Sequence, residues 1–411
     1  MNTTHTAGGA PPADPLRIAM VGTRGVPAAY GGFETAVEQI GSRLAERGHA
    51  VTVYCRRTGG AAPASHLGMD LVHLPALRRK TLETLSHTAA SAAHLSWRGR
   101  QDVAFVFNAA NAPFVPLIQS RGVPVAVHVD GLEWQRGKWG GAGRRFYRAA
   151  EALAVRTADA LIADAAGIAD YYRLEFEAAT DLIAYGAPLL RDVPTAPLAQ
   201  VGVRPGHYHL VVARFEPENH VAELVEGYRA SAATEPLVVV GTAPYAAAYT
   251  ERIERAAGAD PRIRLLGGVW DQDLLDALYA HATTYLHGHS VGGTNPSLLR
   301  AVGAGTPVIA WDVVFNREVL GVDGRYVADA DALPGALLEA ERDRGALALR
   351  GRALQTMAGQ RYTWDGVTDA YEDLARRLAA GESVRGTATG RRTGEWDRVG
   401  GASRRLEAHR A

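Results

Sequence analysis

Cysteine is nearly absent from this chain, since Cys55 is the only one among 411 residues. A single cysteine excludes an intramolecular disulfide and any zinc site built from cysteines, and it is typical of a reducing compartment. Because a free cysteine behaves as a small apolar residue, Cys55, which closes the run AVTVYC, is predicted to be buried at the end of a strand.

Net charge and long apolar runs are missing as well. Lys and Arg total 44, as do Asp and Glu, so no overall field attracts nucleic acid and we expect no nucleic-acid partner. No apolar run is long enough to span a bilayer, and the opening MNTTHTAGGAPPADP lacks the basic and apolar regions of a secretory signal. We therefore expect a cytoplasmic protein, with peripheral contact at the inner face of the cell membrane left open.

What the sequence does contain is a regular alternation of short apolar runs and helical patterns. The length suits two domains of roughly 100 to 200 residues each. Because strands alternate with helices, the pattern predicts an α/β protein with two doubly wound parallel sheets. The predicted strands lie at 16–21, 50–55, 103–107, 123–129 and 160–164, and again at 208–213, 236–241, 262–267, 283–288 and 307–312.

Composition also predicts the divisions of the chain. The stretch between the two halves is dense in proline and has neither period, which is typical of a linker. The last segment is rich in Gly, Arg and Ser without apolar periodicity, which predicts disorder. The predicted divisions are a disordered tail at 1–15, an N-terminal domain at 16–190, a linker at 191–206, a C-terminal domain at 207–362, an amphipathic helix at 363–379 and a second disordered tail at 380–411.

Two such domains facing each other predict a ligand cleft, because open parallel sheets bind ligands beyond the carboxyl ends of their strands. The first candidate loop, GTRGVPAAYGGFET, places Gly31 and Gly32 before a helix, where backbone can approach a phosphate. A simple turn is the alternative. The loop is not a GxGxxG fingerprint, which weakens the case for a nicotinamide dehydrogenase.

Two further loops carry polar residues directly after a strand. In VHVDGLEWQRGKWG at 127–140, His128 and Asp130 stand among aromatic and charged residues, a mixture that suits a sugar or nucleotide, and they are the catalytic candidates. In VVARFEPENHVAEL at 211–224, Arg214 is placed to bind a diphosphate in a bidentate manner. A surface salt bridge is an equally good interpretation of Arg214.

The fourth loop is GHSVGGTNPSLLRAVGAGTPVIA at 288–310. Asn295 is a good N-cap and Pro296 suits the first helical position, so a helix is predicted to begin there and to direct free N–H groups at an anion. Arg300, just over one turn later, either lies at the same mouth or is a solvated helix residue. The mouth is completed by Gly292, Gly293 and Thr294.

Metal and triad chemistry find no support in the sequence. The histidines are not paired at ligand spacing, and neither HExxH nor GxSxG occurs. The basic stretch RRFYRAAEALAVR at 144–156 indicates either a membrane-facing patch near a lipid-linked acceptor or a solvated helix face.

Taken together, these segments resemble the glycosyltransferase family 4 type enzymes of the GT-B fold. More narrowly, the chain resembles a bacterial rhamnosyltransferase-like branch whose N-terminal domain is of the domain of unknown function 1972 type. The resemblance covers about residues 16–378. It is carried by GTRGVPAAYGGFET, RKTLETLSHT, VDGLEW, ARFEPEN, GGTNPSLL, AGTPVIA and FNREVLG.

The resemblance implies two Rossmann-like domains facing a cleft, with a nucleotide-diphosphate sugar held mainly by the C-terminal one and a hydroxyl acceptor over the N-terminal one. It implies neither a metal nor a separate cofactor. Arg214 falls on the family's diphosphate-binding arginine, and Gly31 and Gly32 fall on the glycine loop near the donor phosphate. Asp130 stands where many relatives have a histidine that contacts the transferred sugar.

The chain also departs from the family at the donor site. Asn219 replaces a basic partner of the diphosphate-binding arginine and is itself expected to contact the donor. Gly292 and Arg300 replace two glutamates, the second of which binds ribose. Since arginine offers donors and no acceptor, Arg300 cannot bind ribose in the same way. We expect Arg300 to meet the diphosphate instead, with polar contacts to the donor supplied by Thr294, Asn295 and Ser297.

The implied reaction moves a hexosyl or deoxyhexosyl unit, with rhamnosyl suggested by the branch, to a hydroxyl during assembly of cell-surface polysaccharide or glycoconjugate. The base of the donor nucleotide stays open. Two alternatives remain: a non-catalytic protein that binds nucleotide sugars as a scaffold, and a sugar-nucleotide epimerase of the same fold.

Overall fold

The computed structural model describes residues 14–28, 31–57, 59, 62–77, 82–98, 100–137, 139–242 and 247–398. Two separate sheets organise this part of the chain, one in each half. Both are parallel apart from one short edge strand, and helices follow most strands. The predicted α/β class with two doubly wound domains is confirmed.

The N-terminal sheet has the strand order β3-β4-β2-β1-β5-β6-β7-β8 within the described residues, and only β3 runs antiparallel. Its central strands are continuous apolar runs such as VAFVF, every residue of which is buried, as expected for strands covered on both faces. The strands are β1 Arg17–Val21, β2 Ala50–Arg56, β3 Ser65–His66, β4 Met69–Leu74, β5 Val103–Phe107, β6 Val125–His128, β7 Ala160–Ala163 and β8 Asp181–Leu182.

The helices of this half alternate with its strands. Their amphipathic patterns bury one face on the sheet, as in Ile40 and Leu44 of the first helix. The helices are α1 Gly32–Glu46, α2 Glu83–Arg98, α3 Val115–Gln119, α4 Gly141–Thr157 and α5 Ala166–Phe176.

The C-terminal sheet has the order β11-β10-β9-β12-β13-β14, with every described pairing parallel. Its strands are β9 His209–Val212, β10 Leu237–Val240, β11 Ile263–Gly267, β12 Thr284–His287, β13 Val308–Trp311 and β14 Arg325–Val327. Its helices are α6 Val221–Ala230, α7 Ala247–Ala257, α8 Gln272–Ala280, α9 Pro296–Gly303, α10 Val314–Leu320, α11 Leu333–Arg342 and α12 Arg344–Arg361.

The helix α13, Trp364–Ala379, leaves the C-terminal half and packs on the N-terminal one. Arg43 of α1 forms an ion pair with Asp365 at 2.9 Å, and the ring of Tyr371 contacts Phe105 of β5 at 5.0 Å. The buried apolar residues of both halves therefore join in one cluster that α13 helps to bridge.

The expectation of disorder from residue 380 onward is wrong for residues 380–398. This segment runs along the N-terminal half and ends in α14, Glu395–Arg398. It lacks apolar periodicity because only single residues anchor it: Ala388 and Trp396 are both buried in the N-terminal core. The remaining parts of the predicted tails, residues 1–13 and 399–411, lie outside the described residues.

Candidate functional site

The carboxyl ends of strands from both sheets meet at one interface. The turn 292–294 after β12 packs against the loop after β6, where a methyl group built on Gly131 would lie 2.5 Å from the Cα of Gly292. A methyl group on Gly293 would collide with the carboxylate of Asp164, which follows β7. Glycine at these positions therefore allows the two halves to touch.

The predicted glycine loop and the predicted helix mouth lie together. Gly31 has a φ of 125°, a conformation that suits glycine, and immediately precedes α1. A methyl group on Gly32 would lie 3.0 Å from Cγ of Pro296, the first residue of α9. The positive ends of two helix dipoles, one from each half, are thus adjacent.

Asn295 is the N-cap of α9, as the sequence predicts. Its Oδ1 accepts hydrogen bonds from the backbone N–H groups of Ser297 at 2.9 Å and Leu298 at 3.4 Å. This cap fixes the direction of α9, and it also occupies two of the N–H groups that were expected to face an anion.

The hydroxyls of Thr294 and Ser297 are bonded inside the protein, contrary to the expectation that they face a ligand. Thr294 donates to the backbone carbonyl of Asp164 across the interface. Ser297 donates to the carbonyl of Val212 at 2.8 Å and also contacts the phenol oxygens of Tyr279 and Tyr285 at 2.5 and 2.8 Å. These hydroxyls fix the turn and the start of α9.

Arg300 is engaged within the protein as well, and its contact with the diphosphate stays a prediction. Its guanidinium binds Asp276 of α8, with Nε at 2.9 Å and Nη2 at 2.5 Å from the same oxygen, and it lies over the ring of Tyr279. The sequence indicates no partner because Asp276 lies 24 residues away on another helix. The structure therefore gives Arg300 a role in holding α8 to α9.

His128 is buried at the end of β6. Its ring stacks between Phe107 and Tyr185 at 5.9 and 5.7 Å, and its Nδ1 accepts a hydrogen bond from the N–H of Asp130 at 3.3 Å. Burial lowers the pKa of His128 to about 3, so the ring is neutral at physiological pH. The structure shows it supporting the backbone of Asp130, and a direct catalytic role for it stays a prediction.

Asp130 stands at the interface with a positive φ of 64°. Its carboxylate accepts hydrogen bonds from Nδ2 of Asn108 at 3.0 Å and from the N–H of Gly131 at 2.8 Å. Asn108 has a φ of 74° and follows the neighbouring strand β5. Sequence reasoning missed Asn108, although its place directly after the apolar run VAFVF was a usable signal.

A cluster of charges joins the loop after β6 to the loop after β9. Arg136 has a side chain that is 13% exposed and lies 2.6 Å from Glu133, with Glu216 and Glu218 of the other half nearby. Burial alone lowers the pKa of Arg136, but these carboxylates together with Asp130 raise it. A permanent positive charge is therefore held at the interface.

Arg214 follows β9 and keeps its side chain 45% exposed, with Glu216 at 3.7 Å. Asn219, expected to contact the donor, instead donates its amide to the backbone carbonyl of Arg214 at 2.7 Å and is buried. Asn219 thus fixes the end of the strand that presents the guanidinium.

Two histidines at the end of β12 were also missed by sequence reasoning. His287 and His289 stack at 4.5 Å; His287 is buried and His289 is half-buried. The pKa of His289 is lowered first by burial and then by the charges of His287, Arg214 and Arg136. Arg214 and Arg136 therefore both place positive charge near His289, between the two halves.

Asp164 and Glu318 complete the interface. One oxygen of Asp164 has no hydrogen-bond partner among the described residues, and burial, followed by the charges of Asp130 and Glu318, raises the pKa of its carboxyl. Glu318 of α10 accepts hydrogen bonds from the N–H groups of Ala166 and Gly167 at 2.6 and 3.3 Å, which caps α5 of the opposite half.

Two family models match consecutive parts of the chain. Residues 31–186 match the glycosyl transferase 4-like domain, and residues 206–343 match the glycosyl transferases group 1 domain. They fall on the two halves whose strand ends form the interface. The chain belongs to the GT-B glycosyltransferases.

Among curated proteins, this GT-B glycosyltransferase is similar to the O-antigen chain mannosyltransferase B of Escherichia coli, with 27% identity over 171 residues. That match covers 39% of this chain and 43% of the mannosyltransferase. The chain therefore matches less than half the length of this curated relative.

Solved structures share the fold over most of the chain. The sucrose-phosphate synthase of Thermosynechococcus elongatus superposes with a TM-score of 0.76 at 20% identity, covering 89% of this chain and 99% of the synthase. Anabaena HepE in complex with UDP and glucose gives a TM-score of 0.69 at 15% identity, covering 89% of this chain and 100% of HepE.

Two further observations concern membranes and metals. Within the part of the chain that the structure describes, no helix has both the length and the apolar content needed to cross a bilayer. His209, Glu235 and Glu341 bring possible metal ligands together where β9 begins, at the opposite end of the strand from Arg214. Arg344 forms an ion pair with Glu235 there, so the positive charge of an arginine already balances one of these carboxylates.

Proposed function

We propose that this chain transfers a hexosyl or deoxyhexosyl unit from a nucleotide-diphosphate sugar to a hydroxyl acceptor. The observation that carries the proposal is the meeting of the N-termini of α1 and α9, with Arg214 presented by the same interface. Helix N-termini and a guanidinium are both suited to a diphosphate. Membership of the GT-B glycosyltransferases supports this assignment.

The transfer reaction requires that negative charge be stabilised on the departing diphosphate. Arg214 provides a half-exposed guanidinium, and the dipoles of α1 and α9 add partial positive charge. Arg136 contributes a second fixed charge near His289. These groups serve the purpose for which many transferases use a divalent cation, so we propose a reaction independent of metal and of any separate cofactor.

The acceptor hydroxyl must be oriented and must lose its proton. Asp130 is placed for this task because Asn108 and the Gly131 N–H hold its carboxylate beside the turn 292–294. A carboxylate can accept a proton or a hydrogen bond from a sugar hydroxyl. We propose that Asp130 contacts the transferred sugar or the acceptor.

We propose an acceptor in cell-surface polysaccharide or glycoconjugate assembly, supported by similarity to an enzyme named for the O-antigen chain. The transferred sugar is a hexose or, as the family resemblance suggests, rhamnose. HepE was solved with UDP, which makes a uridine nucleotide the first donor to examine and a deoxythymidine nucleotide the second.

A lipid-linked acceptor would require contact with a membrane surface, and one face of the N-terminal half suits this. Helix α3 contacts both α2 and α4, and the three helices contain only two carboxylates, Glu83 and the buried Glu151. Trp97 is 87% exposed beside basic residues, a combination favoured at anionic lipid interfaces. We propose that this cytoplasmic enzyme binds the inner face of the membrane peripherally. Arg98, Arg100 and Arg121 lie beside Trp97, and α4 contributes Arg144 and Arg145.

A non-catalytic nucleotide-sugar-binding protein is the second candidate. The observation that favours it is the engagement of Arg300 by Asp276, because the position that binds ribose in the broader family is thereby closed. This candidate predicts donor binding without transfer.

The experiment that separates the two candidates is a transfer assay. The full chain is incubated with uridine and deoxythymidine diphosphate sugars and with alkyl glycoside acceptors, and the products are analysed by mass spectrometry. We expect an acceptor product of one added sugar together with release of the nucleotide diphosphate. Nucleotide binding without any product across the acceptor panel would favour the scaffold.

A further inference from the structure

The C-terminal strap, defined as residues 382–398, contacts the N-terminal half through one partly buried arginine, whose side chain is 20% exposed. Arg392 lies 2.7 Å from Glu175 of α5 and 3.3 Å from Glu151 of α4. Both carboxylates are almost completely buried. Buried carboxylates need a counter-charge, and Arg392 provides one to both.

The rest of the strap fixes where this arginine enters. Thr393 donates its N–H to the carbonyl of Glu175 at 2.8 Å and its hydroxyl to the carbonyl of Leu174 at 2.7 Å. Trp396 is buried with its ring edge-on to Tyr171 at 5.4 Å. Gly390 packs so closely on the carbonyl of Ala152 that a side chain there would collide with it.

Arg392 also touches the loop that forms the interface. Its guanidinium carbon lies 5.8 Å from the centre of the Trp134 ring, and the ring of Tyr171 lies 6.5 Å from the same indole. The guanidinium of Arg148 also lies over the Trp134 ring, at 5.0 Å from its centre. Trp134 belongs to the short 3-10 helix Glu133–Gln135, which directly precedes Arg136.

We propose that Arg392 is a positioning residue that holds the 131–137 loop in its binding geometry through Trp134. The strap then couples the last described residues of the chain to the acceptor side of the cleft. This inference deepens the proposed function and rests on it for the kinetic readout, but the structural readout below is independent of activity.

The test compares three full-length variants by hydrogen-deuterium exchange. Arg392→Met keeps the length of the side chain and removes its charge, Arg392→Lys keeps the charge, and Arg391→Met is the matched control on an exposed neighbour. Loss of the guanidinium contact with the Trp134 ring predicts about tenfold faster exchange in residues 131–137 for Arg392→Met. We expect partial recovery in Arg392→Lys and no change in Arg391→Met.

The acceptor KM gives a second test, because a strap that only stabilised the fold would leave this constant unchanged. We expect Arg392→Met to raise the acceptor KM about tenfold while the donor Kd stays unchanged, because the nucleotide is assigned to the other half. An unchanged exchange rate in 131–137, with faster exchange confined to the strap and α5, would overturn the proposal. If the wild type binds no donor, the proposed function fails while the exchange result still decides the role of Arg392.

A second variant covers the case in which Arg392→Met leaves two unpaired carboxylates and does not fold. The triple variant Glu151→Gln/Glu175→Gln/Arg392→Met removes all three charges together, and replacing a complete buried ionic group is tolerated far better than breaking it. The proposal expects the same faster exchange in 131–137, and protection equal to that of the wild type would contradict it.

Discussion

At the residue scale, two strained backbone positions lie beside the cleft. Asn108 and Asp130 have positive φ values of 74° and 64°, a conformation that costs a residue other than glycine about 1 kcal/mol or more. They follow the neighbouring strands β5 and β6, and a hydrogen bond joins their side chains. Such strain persists only where surrounding contacts maintain it, which agrees with a fixed orientation for the Asp130 carboxylate.

The first prediction concerns Asp130 itself. Asp130→Asn keeps the size of the side chain and removes its negative charge, so transfer should fall by roughly 10²-fold or more in kcat while the donor Kd is unchanged. Steady-state kinetics and calorimetric titration measure the two quantities. Asp331→Asn, on an exposed residue of the other half, is the control. Unchanged kcat in Asp130→Asn would contradict the assigned role.

The second prediction concerns the contact between the halves at Gly293. In Gly293→Ala the added methyl group would meet the carboxylate of Asp164, so we expect a loss of about 1 to 3 kcal/mol in the free energy of unfolding. Gly335→Ala in α11 is the matched control, because nothing lies within 4 Å of the added methyl group. Urea unfolding of both variants tests this, and equal stability of the two would show that the halves do not pack there.

At the element scale, short hydrogen-bonding devices decide how helices meet the cleft. Asn295 begins α9 and Ser297 ties it to β9 through the carbonyl of Val212. Glu318 of α10 caps α5 across the interface. The ends of these helices are therefore positioned by side chains from other elements, and the polar residues of the GGTNPS turn serve the framework.

The third prediction concerns the buried contact between α4, α5 and the strap. Burial raises the pKa of Glu151 from its ordinary value of 4.5 to about 7, with opposing contributions from Tyr171 and Arg392. The unfolded chain therefore releases this proton first, and stability is lost as pH rises from about 4.5 to about 7. In Glu151→Gln that loss should disappear.

The measurement for this prediction is the difference in urea midpoint between Glu151→Gln and the wild type. The difference should increase in favour of the variant between about pH 5 and about pH 8. Other titrating groups are common to both proteins and cancel. A difference that is independent of pH would mean that the Glu151 carboxyl is not shifted.

Sequence patterns predicted local features well and distant pairings poorly, for a physical reason. VAFVF and the cap Asn295 are determined by neighbours in the chain, so periodicity and capping rules find them. Arg300 and Arg392 depend on Asp276 and Glu151, which lie 24 and 241 residues away. No local pattern contains such pairs, so the partner of Arg300 was not foreseen and the disorder expected for residues 380–398 was wrong, while the donor role of Arg300 stays a prediction.

At the scale of the whole molecule, two faces have different tasks. Arg136 and Arg214 place fixed positive charges at the cleft between the halves. Helix α13 and the strap form ion pairs with helices of the N-terminal half. The outer face formed by α2, α3 and α4 carries arginines and the exposed Trp97. Donor binding and surface attachment are thus assigned to separate regions.

The fourth prediction tests that outer face. The double variant Trp97→Ser/Arg98→Ser should bind vesicles of anionic phospholipid several-fold more weakly than the wild type, since each basic residue near such a surface contributes about 1 kcal/mol. Vesicle sedimentation at low and high salt measures this. Trp270→Ser/Arg255→Ser removes the same residue types from the C-terminal half and should bind like the wild type. If the Trp97/Arg98 variant bound vesicles as strongly as the Trp270/Arg255 control, the outer face would not be the membrane-binding surface.

The central claim is that Arg214 at the meeting of α1 and α9 binds the diphosphate of a nucleotide sugar. The most direct test is a thermal-shift panel of nucleotide diphosphates and their sugars on the wild type, Arg214→Ala and the exposed control Arg204→Ala, because a ligand of the folded state raises Tm by mass action. The account predicts a nucleotide-selective rise in Tm for the wild type and for Arg204→Ala, and a much smaller rise for Arg214→Ala. The same rise in all three proteins, or no rise in any folded sample, would contradict it.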